Sequence, residues 1–214
     1  MARLTREESR ALTRAKLLAS ARAVVARDGF ENASIDRIAE EAGFSKGAFY
    51  SNFSSKEEIF LELLETHSME DVSEIAALLK GVSNPLQMIA AISDWASARA
   101  SEATWGLLAL ELLRRARRDA TFGDRHANLF RDQWAGLGRI LLQMFPKGGT
   151  PAEPEALGGI VFELVYGAAS SFTRGPSAGD LVRLALTSMY LAYGKEQIRP
   201  ALIGRRPKKR VSRR

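Results

Sequence analysis

An all-α fold of nine helices is what this 214-residue sequence predicts, and three observations predict it. Apolar residues recur at i, i+3, i+4 and i+7 in segment after segment, the spacing of one buried helical face. Serine, asparagine and proline stand where several of those segments start, and glycine or proline where several stop. The last two segments are apolar around most of their circumference, and a helix of that kind has to be buried on all sides.

The stretch that organises the rest is Ser34 to Lys56. Ile35, Ile38, Ala39 and Ala42 form one apolar face; Ser34 precedes it as an N-cap, and Gly43 follows as a left-handed stop. Ser45 opens a second short helix, Ser45 to Asn52, with Ala48, Phe49 and Phe53 as its apolar contacts. Ser55 and Glu58 read as a capping box for a third. Helix, glycine-containing turn, helix is the geometry that lays the second helix in the DNA major groove. Gly47 and Ala48 are small enough to approach base edges, Lys46 reaches phosphate or guanine, and Asn52 pairs with adenine or a phosphate. Ser34, Ser45 and Tyr50 offer hydroxyls to the backbone of the duplex. Lys56 sits in the first turn of the third helix, where the dipole disfavours a cation unless an anion docks there too. Asp36 suits the dipole at the start of its helix and is read as structural.

These residues also carry a resemblance. Gly29-Phe30, Ser34-Ile35 through Ile38-Ala39, Ala42 to Gly47, Phe49-Tyr50, Phe53 and Ser55 to Phe60 resemble, in order and spacing, the N-terminal signature of the TetR family of bacterial transcriptional regulators. The resemblance covers about residues 10 to 65 and supports only the helical character of the remainder. It implies an all-α, nine-helix homodimer that binds a palindromic operator, most often a repressor released by a small-molecule effector.

Composition narrows the alternatives. The chain has no cysteine, which removes disulfides and thiolate metal sites and fits a reducing cytoplasm. Its two histidines, His67 and His126, are far apart in sequence, so a metal site would need carboxylates; no metal and no cofactor is expected. No Ser/His/Asp set and no phosphate-binding glycine loop appears, which argues against an enzyme. No secretory leader or long apolar run is visible, so a cytoplasmic chain without a membrane partner is expected. The net charge of +6 is placed at the ends: residues 1–56 carry ten basic and seven acidic side chains, and residues 204–214 carry seven basic and none acidic. A basic N-terminal module and a mildly acidic middle suit a protein that meets phosphates at one end.

Taken in order, residues 1 to 9 read as a frayed arm, and the first helix as Arg10 to Arg27, with Leu17, Ala21, Val24 and Val25 inward and Asp28-Gly29 as its end. The fourth helix runs from Ser55 to about Leu79, with room for a bend near Ser68 to Ser73, and links the DNA-reading pair to the body. Asn84-Pro85 with Gln87 starts a fifth, which runs to about Arg99. The leucine-rich segment Thr104 to Arg117 makes the sixth, and Phe122 to Phe145 the seventh. Pro146 to Pro154 is a loop by composition. The last pair is Glu155 to Phe172 and Ala178 to Tyr193. Leu157, Val161, Leu164, Ala168, Leu181, Leu184 and Met189 on that pair are expected at a homodimer interface built as a four-helix bundle. The division expected is a DNA-binding domain over 1–56, a ligand-binding and dimerisation domain over 57–200, and a basic disordered tail over 201–214.

An effector pocket between helices should be apolar with a few polar groups. Trp95, Trp105, Phe130, Trp134, Phe162 and Tyr166 are its candidates, with His67 and Glu111 as polar groups; Glu111 is alternatively a surface residue paired with Arg115. An apolar or aromatic effector follows. An activator of the same architecture, or a DNA-binding protein without sequence preference, stays open as an alternative.

Overall fold

The computed structural model describes residues 5–146, 149–167 and 175–194; the regular structure among them is helical, with no strand. Among the described residues nine α-helices follow one another: α1 (Arg6–Asn32), α2 (Ile35–Glu41), α3 (Lys46–Tyr50), α4 (Lys56–Leu78), α5 (Pro85–Ala100), α6 (Ala103–Ala116), α7 (Ala120–Leu141), α8 (Pro154–Tyr166) and α9 (Ala178–Tyr193). A 3-10 turn, Leu142–Met144, closes α7.

Local chemistry sets most of the boundaries. Ser34, Ser45 and Ser55 each accept from the backbone N–H three residues on, and Asn84 accepts from Leu86 and Gln87 ahead of Pro85. Gly29 and Gly43 take φ of 75° and 78°, and so turn the chain after α1 and after α2. Regular helix in α1 therefore ends at Asp28, as the sequence indicates. Its start differs: Thr5 and Glu8 form a reciprocal capping box, so residues 6–9 are helical rather than a frayed arm. Asp119 caps α7 by accepting from Phe122, which starts that helix earlier than expected. The expected box at Ser55 is only half formed, because the Glu58 carboxylate turns back to Ser54 instead. α8 reaches Tyr166, and Gly167 leaves the helix with extended backbone; the expected remainder to Phe172 lies outside the described residues. Ala168 and the tail over 201–214 lie outside the described residues.

Two apolar clusters hold the chain. The first joins Leu17, Ala21, Val24 and Val25 of α1 to Ile38, Phe49 and Phe53, and continues into Ile59 to Leu64 of α4 and Trp105, Leu108 and Leu112 of α6. The second gathers Ile92, Trp95 and Ala96 of α5, Leu137 and Leu141 of α7, Leu157, Val161 and Phe162 of α8, and Val182 and Leu186 of α9. α4 runs unbroken through both, giving Phe60 and Leu64 to the first and Ile75 to the second. The expected division at residue 56 thus marks the start of α4, while the core around α1–α3 extends past it.

The helices of the last pair bury less than their composition implies. Leu157 and Val161 are fully buried within the protomer, against α7, and so cannot form an interface. Their assignment to a dimer surface is corrected: Leu157, Val161 and Val165 share the face of α8 that is turned into the protomer, and Ile160 and Leu164 lie outside it. On α9, Leu184 and Leu191 are 66% and 61% exposed, while Leu186 is buried and Leu181 and Met189 are half-buried.

Candidate DNA-reading face and effector site

α3 is held from behind by α1. Arg14 donates to the Asn52 carbonyl at 2.6 Å, lies 4.1 Å above the Phe53 ring and pairs with Glu62 of α4; Arg10 donates to the Ser51 carbonyl at 3.3 Å. α3 is only five residues long, so its orientation is fixed by these contacts and by Phe49 in the core. The outward side carries Ser45, Lys46, Gly47 and Tyr50, all exposed, with Ala48 half-buried and Ser34 exposed at the head of α2. A Cβ placed on Gly47 would meet nothing closer than the Ser45 hydroxyl at 3.7 Å. The fold itself therefore has no need of a glycine there.

Three residues behave differently from the expectation. Asn52 donates to the Ala48 carbonyl at 2.9 Å and its side-chain oxygen is buried without a partner, so the amide secures the end of α3 and does not reach outward. Lys56 directs its ammonium to the Glu31 carbonyl at 3.3 Å and sits 4.2 Å over the Phe30 ring, which itself meets Phe60 edge-on. It ties the end of α1 to the start of α4, and desolvation there lowers its pKa. Asp36, read as structural, instead forms an ion pair with Lys46 at 3.0 Å across the α2–α3 face. Both side chains are exposed, and the Asp36 carboxylate raises the Lys46 pKa.

In the body, Phe130 and Trp134 of α7 and Tyr166 of α8 line a cleft of about 450 Å³, together with Leu110 and Leu113 of α6 and Glu155 and Glu163 of α8. That volume is in the range of small-molecule sites. His126 lines it as well and is buried; its Nε2 has no partner, and burial pushes its pKa down against a bond to the Ala109 backbone. A second, mostly apolar cleft of about 490 Å³ lies on the other side of α7, against Met69 and Val72 of α4.

The remaining candidates lie elsewhere. Trp95 and Phe162 pack edge-to-face at 6.1 Å inside the second cluster. Trp105 belongs to the first cluster and stacks flat on His67, at 4.0 Å between centroids and 14° between planes. Glu111 does not face this interior: it pairs with Arg114 at 3.3 Å, one residue short of the expected Arg115, and its charge is felt at Lys56. Arg115 pairs with Asp119.

Behind the cleft lies a buried polar cluster that the sequence reading missed. Tyr166 donates to Asp71, which is fully buried, and its oxygen stands 3.0 Å from His67 Nε2. The other Asp71 oxygen is 3.0 Å from Arg99 Nε, close enough for an ion pair although the N–H is not directed for a hydrogen bond. Burial pushes Asp71 up to about 6 and His67 down to about 3. Asp71 follows His67 by one helical turn inside an apolar stripe, the signal that could have revealed it.

Comparison with known proteins places these features. Residues 17–63, from α1 into α4, match the family model described as bacterial regulatory proteins, tetR family. The transcriptional activator FasR of Mycolicibacterium smegmatis is 36% identical over 89 residues, which are 42% of this chain and 39% of that protein. The repressor AcnR of Corynebacterium diphtheriae is 30% identical over 119 residues, 53% of this chain and 55% of that protein. The chain therefore spans about half or less of the length of these relatives. In three dimensions, the Thermus thermophilus repressor FadR, solved with lauroyl-CoA, superposes with a TM-score of 0.62 at 18% identity over 89% of this chain and 100% of that one.

Over residues 17–63 the chain carries the TetR-family signature.

The family is one of DNA-binding regulators and not of enzymes. The match ends at Leu63, so the signature covers the reading pair and the first two turns of α4, and the TetR fold of the rest is carried by the structural likeness. Among the described residues, no group of three or more His, Cys, Asp or Glu side chains is placed to hold a metal, and no helix is long and apolar enough to cross a membrane.

Proposed function

We propose that this chain is a TetR-family transcriptional repressor that binds a palindromic operator as a homodimer and releases it when a small apolar or aromatic effector fills the cleft beside Tyr166. The observation that carries the reading is Gly47. An exposed glycine inside a helix costs stability, and no contact within the fold asks for it. A surface that comes close to the backbone of α3 does. Lys46 and Ala48 flank that point for base edges, with Ser34, Ser45 and Tyr50 for phosphates.

Pairing through the outer faces of α8 and α9 would cover Ile160, Leu164, Leu181, Leu184 and Leu191, which otherwise leave an apolar strip in water. Two copies related by a two-fold axis present two reading helices about 34–36 Å apart, one per half-site. The cleft is walled by Phe130, Trp134 and Tyr166 beside two leucines, which suits an apolar or aromatic molecule. The structural neighbour FadR of Thermus thermophilus holds lauroyl-CoA, whose acyl chain is apolar. α4 begins at Lys56 under the reading pair and continues into the body, so a tilt of α4 changes the separation of the two reading helices. A coupling of about 1–3 kcal/mol suffices to release the operator.

Selection of random duplexes on the purified protein, followed by sizing of the complex, tests this reading. An enriched palindrome bound by two copies supports it. Salt-sensitive binding with no enriched sequence overturns it.

A further inference from the structure

The effector cleft ends on Tyr166, and what lies behind Tyr166 takes no part in the function described so far. The buried cluster has a direction. His67 Nδ1 has no hydrogen-bond partner, and burial keeps the ring neutral, so the Nε2–H is the proton that meets the Tyr166 oxygen at 3.0 Å. The Tyr166 hydroxyl then passes its own proton toward Asp71. One hydroxyl thus fixes both the orientation of the His67 ring and a donor to a fully buried carboxylate. A buried carboxylate left short of a donor is costly, which makes the position of this hydroxyl a point of high leverage.

The opposite side of the His67 ring leads to the DNA-binding domain. His67 lies flat on Trp105 of α6. Arg22 of α1 rests over the Trp105 ring at 5.4 Å and is 3.5 Å from Glu70, three residues on from His67. α1 is the helix whose Arg10 and Arg14 hold the end of α3. The side chains Tyr166, His67, Trp105 and Arg22 therefore form a continuous line of contacts from the cleft wall to α1, crossing α8, α4 and α6: a hydrogen bond between edge-on rings, a flat stack, and a guanidinium over the indole.

We infer that Tyr166 couples the wall of the cleft to the DNA-reading helices through the line of contacts Tyr166–His67–Trp105–Arg22, a route beside the tilt of α4. The inference rests on the effector reading above. A molecule that wedges against Phe130 and Trp134 displaces the Tyr166 ring, removes the donor from Asp71 and frees His67 to turn off Trp105. Arg22 then loses the surface that sets α1.

Contiguity alone does not establish coupling, so the test is a double-mutant cycle. The variants are Tyr166→Phe, which keeps the ring and the cleft wall, Trp105→Leu, and the two combined. The readouts are affinity for a duplex recovered by selection, thermal unfolding, and binding of Nile red as a neutral apolar probe of the cleft. Each single variant should weaken duplex binding by about fivefold or more, with the unfolding transition still cooperative. The combined variant should be no weaker than the weaker single. Trp105→Phe, which restores a ring over His67, should recover much of the affinity; a purely structural role for Trp105 would not link that recovery to Tyr166, and Trp105→Phe also serves where Trp105→Leu fails to fold. Effects that simply multiply, or a Tyr166→Phe protein that binds the duplex like the wild type, overturn this route. Nile red that fails to bind the wild type, or binds Trp134→Ala equally well, overturns the effector reading and leaves the cycle to be judged by its own result.

Discussion

Gly158 of α8 lies directly against Gly138 of α7. A Cβ on Gly158 would stand 3.0 Å from the Gly138 nitrogen and 2.0 Å from the Trp134 carbonyl oxygen, and a Cβ on Gly138 would fall 1.8 Å from the carbonyl oxygen of Pro154. The two backbones touch, which is what brings Glu163 and Tyr166 of α8 beside Phe130 and Trp134 of α7 in one cleft. Gly158→Ala forces the helices apart. It should cost about 1–3 kcal/mol or more, a fall of several degrees in Tm for a chain of this length. A thermal scan with an unchanged midpoint would show that the pair is looser than this.

Gly47→Ala is the opposite case. The site has room for a methyl group, so the variant should gain about 0.5–1 kcal/mol from the better helix former. Its affinity for the selected duplex should nonetheless drop. A protein with raised Tm and undiminished duplex affinity would remove α3 from the groove.

Asp36 restrains Lys46 on the reading face. An exposed pair of this kind contributes little to stability, so Asp36→Asn should leave the fold intact. It frees the ammonium and removes a negative charge facing the phosphates. Affinity for scrambled DNA should rise, with log K falling more steeply against log salt by about one, and the ratio of selected to scrambled binding should shrink. Equal ratios in the two proteins would make Asp36 purely structural.

Leu184 is exposed on the outer side of α9. Leu184→Glu removes little from the protomer's own core and puts a charge where two copies are proposed to meet. Sedimentation should show a monomer at concentrations where the wild type is a dimer, with duplex affinity reduced in step. A dimer that survives the substitution places the interface elsewhere.

The cluster behind the cleft has a pH signature. Asp71 is raised from 3.8 to about 6 on folding, so its contribution to stability is present below about pH 4 and lost as the pH rises through 6. His67 is lowered from 6.5 to about 3, so its contribution is present above pH 6.5 and lost as the pH falls toward 3. Between pH 4 and 6 the two slopes oppose each other, each about 1.4 kcal/mol per pH unit at most. His67→Gln keeps a donor for Tyr166 and leaves the Asp71 slope alone. Urea midpoints of the variant should therefore decline from pH 4 to 6 relative to the wild type. Parallel curves would mean that the two groups do not titrate as described.

Much of the chain was legible because its signals act over three or four residues. Ser34, Ser45, Ser55 and Asn84 cap the helices they precede, since a side-chain oxygen either reaches the third N–H on or does not. The capping box of Thr5 and Glu8 is equally local, and was there to be read. Glu111 and Asp71 show the other side. Both are acidic residues inside helices, yet Asp71 is wholly buried while Glu111 sits beside Arg114. Arg114 stands within a turn of Glu111, whereas Arg99 and Tyr166, the partners of Asp71, come from the helices packed opposite.

By itself, then, the sequence determined the all-α class, the caps and turns of the reading pair, and which residues turn inward along α1, because those follow from backbone hydrogen bonding and helical period. Tertiary packing decided the rest. A helix apolar all round has to be covered, but its own pattern does not say by what, so only the approach of α7 could put Leu157 and Val161 inside the protomer and leave Leu184 outside. In the same way, only the meeting of α4, α5, α6 and α8 could gather His67, Asp71, Arg99, Trp105 and Tyr166 around one hydroxyl, since a contact between residues about a hundred apart depends on shapes that no local pattern records.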